Sequence, residues 1–216
     1  MYQPYYEEVT RFAAEGELAS ELQKAKGEFT QRTGEMFETD LSFERRITAF
    51  LEWYVLDRHI SFRPELTPGE LFLLQRGKAL SEADRNRYAG LTQTHLSLFE
   101  LKGTKGEQLK LRDLLSGKKI EVYERRKLVG LEPGDILEAR VIPYEDLIVL
   151  SDSYYCQPRE ARKEILAAAK KFRKSGPGPD DGIAFVHRVA YFANRSERYK
   201  HLSPRKVFAE LNVKAA

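Results

Sequence analysis

The apolar residues change their repeat near His95, and no other feature of this sequence restricts the fold as much. Upstream, in LSFERRITAFLEWYVLDRH, Phe43, Ile47, Phe50, Leu51, Tyr54 and Val55 fall on one helical stripe. Downstream come LSLFELKG, EQLKLRDLL, KKIEVYE, GDILEARVIP and LIVLSD, short runs rich in Leu, Ile, Val and aromatic residues. KGTKGE, LSGKK, GLEPGD and PYED separate them with the Gly, Pro and Asp that tight reversals need. From PREARKEILAAAKKFRK onward the helical repeat returns, with Ile165, Leu166, Ala169 and Phe172 on one face.

Local signals place the helix starts. An opening segment from Tyr5 to about Arg32 carries Val9, Phe12, Ala19, Leu22 and Phe29 at helical spacing, weakened by Gly16 and Gly27. Ser42 is expected to cap the next helix. In LTPGELF, Thr67 as cap, Pro68 at the first helical position and Glu70 three residues on form a capping box, with Leu66 and Leu71 placed as its hydrophobic staple. Ser81 and Asp84 repeat the pattern, Asp180 or Asp181 is expected to cap IAFVHRVAYFANRSERY, and Ser203 with Pro204 opens a last short helix. The expected fold is therefore α+β. Residues 1–95 form about four N-terminal helices, 96–155 a central small five-strand antiparallel sheet or barrel, and 156–216 basic C-terminal helices, all packed as one globular unit.

Composition narrows the setting. The chain has 216 residues, 42% of them hydrophobic and 32% charged, as in folded proteins rather than disordered ones. The single Cys156 allows no internal disulfide, the N-terminus lacks the basic and apolar stretches of a signal peptide, and no apolar run is long enough to span a bilayer. A cytoplasmic location is expected. The net charge of +3 conceals an asymmetry: from Cys156 to the end, 14 Lys and Arg face 6 Asp and Glu, a local +8 that leaves −5 for the rest. A polyanion partner for the basic end, or attraction between the two halves, would each account for it.

Motifs of catalysis are missing. There is no glycine-rich phosphate loop, no HExxH and no GxSxG, and His59, His95, His187 and His201 are scattered, so no metal or cofactor is expected. Cys156, at a strand-to-helix junction with Arg159 three residues on, is the one candidate nucleophile if the helix start lowers its pKa; a small half-buried residue is the alternative. Asp57, Arg58 and His59, ending an apolar helix, suit either a ligand pocket or a bridge from Asp57 to a neighbouring segment while Trp53 fills the core. Arg125 and Arg126 suit a cyclic-dinucleotide receptor of the PilZ class, but that class's Asp/Asn-x-Ser-x-x-Gly strand motif is missing.

FLEWYVLDRHI, followed by LSLFELKG, LKLRDLLSGKKIEVYE and LEPGDILEARVIPY, resembles an arrangement in uncharacterised bacterial proteins, in which a Trp- and Asp-bearing helix precedes a small sheet region. The resemblance covers about residues 43 to 151. Some of those proteins carry a SEC-C zinc segment; this chain lacks its cysteines, so the resemblance implies no metal role and supplies no catalytic residue.

These features favour a non-catalytic binding or regulatory protein that recruits a protein partner. The alternative is binding of nucleic acid or another polyanion through Lys170, Lys171, Arg173, Lys174, Arg188, Arg195, Arg198, Lys200, Arg205 and Lys206. Tyr191 and Phe192 interrupt those cations, and as part of an amphipathic helix they are expected to be needed for packing.

Overall fold

A computed structural model describes residues 1–126, 128–178 and 181–212. Its N-terminal part holds α1 (Gln3–Ala13), α2 (Leu18–Thr33), α3 (Phe43–Leu56), α4 (Pro68–Arg76) and α5 (Glu82–Leu91). The expected opening helix is thus two. The chain turns between them at Gly16, whose φ of 57° is costly for any residue with a Cβ. The corner is fixed from inside, because the buried Tyr54 hydroxyl donates to the Ala13 carbonyl (2.8 Å) and lies 3.0 Å from that of Leu18. Gly27 remains inside α2.

The capping box at Thr67 and Glu70 forms with both of its hydrogen bonds, and Ser81 accepts from the Asp84 amide at 3.1 Å. Leu66 and Leu71 pack in one cluster with Leu18 and Ile60. Ser42 makes no cap bond: its hydroxyl donates instead to Glu197 at 2.6 Å, a long-range partner that local pattern cannot reveal. Asp180 lies outside the described residues, and Asp181 opens the following helix with its carboxylate accepting from the Gly178 amide.

The five expected strands form as β1 (His95–Lys105), β2 (Gln108–Asp113), β3 (Lys119–Tyr123), β4 (Ile136–Tyr144) and β5 (Leu147–Leu150), joined by the two-residue β6 (Tyr155–Cys156). The sheet is mixed rather than purely antiparallel. β1–β2, β2–β3, β1–β4, β4–β5 and β4–β6 pair antiparallel, whereas β3 meets β5 in parallel at Tyr123 and Val149. The reason is the route taken: after β3 the chain crosses to pair β4 with β1, and the tight β4–β5 reversal brings β5 back beside β3. The pairings thereby close a circuit β1-β2-β3-β5-β4-β1.

Phe99, Leu101, Leu111, Val122, Leu137, Val141 and Leu150 fill the inside of this circuit. A second cluster packs Trp53, Tyr54 and Phe72 of the N-terminal helices against Ile142 and Val149. A third joins Leu98 and Ile136 to α6 (Arg162–Lys174), α7 (Asp181–Arg198) and α8 (Pro204–Ala209). α5 lies so close to β4 that a Cβ on Gly90 would stand 2.3 Å from the Pro143 carbonyl oxygen. Among the described residues no helix is long and apolar enough to cross a membrane.

α7 is the element shared by both sides of the molecule. Its Asn194 amide donates to the Thr33 carbonyl at the end of α2 (2.7 Å), and Arg46 of α3 donates to its Ala190 carbonyl (3.3 Å). His187 is buried edge-on between Phe29 and Trp53, with no hydrogen-bond partner for either ring nitrogen among the described residues. Burial, then the nearby Arg32 and Arg140, hold its pKa down at about 3.

Gly90→Ala is expected to destabilise by about 1–3 kcal/mol through overpacking, and a thermal melt showing an unchanged Tm would refute the close contact. Because His187 is neutral when folded and its pKa is lowered from 6.5 to about 3, stability present above pH 6.5 is lost as the pH falls through that interval. Urea melts at pH 7.5 and 5.0 should show the loss in the parent protein and a smaller one in His187→Phe.

Candidate interaction surface

The residues singled out at the end of α3 come together around a buried guanidinium. Arg140, on β4 and 0% exposed, donates to the Asp57 carboxylate through both terminal nitrogens, one contact being 3.0 Å, to Thr94 at 2.7 Å and to Glu52 at 3.3 Å. Trp53 fills the core at 2% exposure, with the Arg32 guanidinium 5.2 Å above its ring. A cleft of ≈ 380 Å³ does place Asp57, Arg58 and His59 on one rim with Glu28 and Ser61. Their charges are already committed, however. Arg58 pairs with Glu21 and Glu28, both at 2.8 Å, and Asp57 faces inward to Arg140. Glu21 is fully buried; burial would raise its pKa, but hydrogen bonds from Lys24, Ser61 and Arg58 hold it at about 2. Asp57 therefore bridges to the sheet, while Arg58 anchors the segment that leads to α4.

Cys156 does not meet the condition set for a nucleophile. It sits on β6, half-buried against the interior of the sheet, and burial followed by the charge of Asp135 raises its pKa. Arg159, whose charge could have stabilised a thiolate, is paired with Asp135 (2.7 Å) and Glu132 (3.1 Å).

The basic residues of the C-terminal region divide into two groups. Arg195 pairs with Glu210 (2.6 Å), Arg198 with Asp40 (2.8 Å) and Arg205 with Glu164 (3.1 Å), while Arg173 donates to the Leu114 carbonyl and Lys171 to that of Asn212 (3.3 Å). These cations fasten the C-terminal helices to one another and to the rest of the fold. Arg188 is exposed. Lys170, Lys174, Lys200 and Lys206 are exposed without an ion-pair partner among the described residues, and they are spread over α6, the turn after α7, and α8.

What gathers on α7 is instead an aromatic and arginine surface. The helix buries Val186, Val189, Phe192 and Ala193, which leaves Arg188, Tyr191, Arg195 and Arg198 along the opposite side at helical spacing. Tyr191 is 38% exposed and Phe192 6%, so only the second of the two rings is spent on packing. The segment from Gly34 to Ser42 lies along that side. A Cβ at Gly34 would be 3.4 Å from the Tyr191 ring, the Arg198 guanidinium covers Phe37 at 4.4 Å while pairing with Asp40, and Glu197 accepts from Ser42. Phe37, Leu41, Tyr191 and Tyr199 are left 48%, 85%, 38% and 47% exposed. Sequence reading missed Phe37 and Leu41, because nothing local says that their segment docks on a helix more than 150 positions away.

Fold and surface together describe an α+β protein whose helices cover part of a small mixed sheet and present an aromatic patch on α7. A family of unknown function, DUF7986, matches residues 2–199, and the chain belongs to that family. Neither the curated proteins nor the solved structures contain a match to it.

Asp57→Ala leaves the buried Arg140 short of its principal carboxylate and is expected to cost about 3–5 kcal/mol in a urea melt, with Asp57→Ala/Arg140→Met recovering part of the loss. A stable single variant would remove the bridging role.

Proposed function

We propose that this protein is a non-catalytic, cytoplasmic binding protein that recruits a protein partner through the surface formed by Phe37, Leu41, Tyr191 and Tyr199. The observation that carries the reading is the docking of the Gly34–Ser42 segment on α7, which sets Phe37 and Tyr191 along one side with Leu41 and Tyr199 exposed at the chain positions next to the contacting Asp40, Ser42 and Arg198. Aromatic residues and arginine are enriched at the energetic centres of protein interfaces: a tyrosine ring offers large area with only two rotors and a polar end, and an arginine offers a planar, multiply donating group whose rotors must be held in place. Here the ion pairs of Arg195 and Arg198 fix the cations in place beside the rings, so little side-chain entropy remains to be lost on docking. The same pairs reduce the charge available to a polyanion, which weighs against the C-terminal helices as a nucleic-acid contact.

Leu41→Glu/Tyr199→Glu alters two exposed positions and is expected to leave the far-ultraviolet circular dichroism and Tm unchanged. In a tagged pull-down from nuclease-treated lysate, the parent protein should retain a partner that this variant loses. Identical sets of retained proteins would overturn the proposal, and so would a partner lost from the parent on nuclease treatment.

A further inference from the structure

On the outside of the sheet, β2 alternates cleanly: Leu109, Leu111 and Asp113 are buried, while Gln108, Lys110 and Arg112 face solvent. Strand register sets Lys105 beside Gln108 on one flank and Lys119 beside Arg112 on the other, with Lys118 next in the turn. That turn is held rigid from below. The Asp113 carboxylate accepts from Ser97 (2.6 Å), Ser116 (2.5 Å) and the Leu115 amide (2.8 Å) and contacts His95; these bonds outweigh its burial and keep its pKa well below the usual range.

Lys105, Lys110, Arg112, Lys118 and Lys119 are all exposed and have no ion-pair partner among the described residues. The carboxylates near them do not cancel this charge. Glu100 is taken by Arg162 (2.8 Å) and Lys102 (3.4 Å); Glu107, which keeps its charge while accepting from the Tyr123 hydroxyl (2.6 Å), and Glu121 opposite Lys110 offset part of the cationic charge and leave the face net positive. Like charges on adjacent strands, about 5 Å apart, and at alternate positions of one strand, about 7 Å apart, repel one another. A ligand carrying negative charge at regular intervals relieves that repulsion.

We propose that the outer face of β1–β3 binds the sugar–phosphate backbone of a nucleic acid strand, with Lys110 and Arg112 at its centre and Lys105, Lys118 and Lys119 at its ends. The line of cations favours phosphates over a membrane surface, since the face presents no large exposed apolar side chain to enter a bilayer. The site is independent of the α7 surface and survives the failure of that assignment.

The experiment is fluorescence anisotropy of the full chain with a labelled single-stranded oligothymidylate and a duplex, from 50 to 300 mM salt. Saturable binding is expected to one or both. Lys110→Glu/Arg112→Glu should weaken it at least tenfold and reduce the slope of log K against log salt by about 1.4 for a single strand, while Lys170→Glu/Lys174→Glu and Leu41→Glu/Tyr199→Glu change it less than twofold. Lys110→Gln/Arg112→Gln, with Tm matched to the parent, should give a loss of the same direction and separates binding from folding. Absence of saturable binding at 50 mM salt, equal loss from the α6 reversal, or equally effective competition by polyglutamate at matched charge would each overturn the proposal.

Discussion

The buried guanidinium of Arg140 ties the two kinds of secondary structure together. A charge with no exposure to water is tolerable only when its donors are matched, and Arg140 finds its acceptors on the far side of a layer boundary, in Glu52 of the third helix, in Asp57 just after that helix and in Thr94. β4, which carries it, pairs with β1, β5 and β6. The orientation of α3 on the sheet is therefore fixed by geometry as well as by apolar area. Glu52 is also held by Ser153 at 2.7 Å, so the segment after β5 is included in the same arrangement.

From that anchor the rest follows in order. α3 presents Trp53 to α2 and α7, α7 buries His187 against that ring, and the last turns of α7 receive the segment that joins α2 to α3. Both candidate surfaces are by-products of this order. The aromatic patch exists because the Gly34–Ser42 segment lies on α7, and the cationic face exists because the helices cover β1 and β4 but leave the outside of β2 open.

Much of the secondary structure was legible. The capping box at Thr67, the cap at Ser81 and the five strand segments follow from chemistry within a few residues, and the structure reproduces them. Ser42 departs from its local pattern for the opposite reason, since its partner Glu197 lies 155 residues away. β6 left no signal because two residues cannot show a period. Of the two alternatives for Asp57, the bridge formed, though its partner Arg140 could not be picked out of a chain with 36 basic residues. The ten C-terminal cations were visible as a charge excess, but a count of charges does not say which of them are neutralised at close range, and several are.

By itself, the sequence determined the α+β class, the order of helices and strands, and the absence of any familiar catalytic signature, because each depends on hydrophobic period and on spacing along the chain. The tertiary structure decided the parallel β3–β5 contact, the burial of Arg140, and which cations stay unpaired on which face. Those depend on distances between residues far apart in the chain. Coulomb and hydrogen-bond energies act over a few ångströms, and only the folded chain sets those distances.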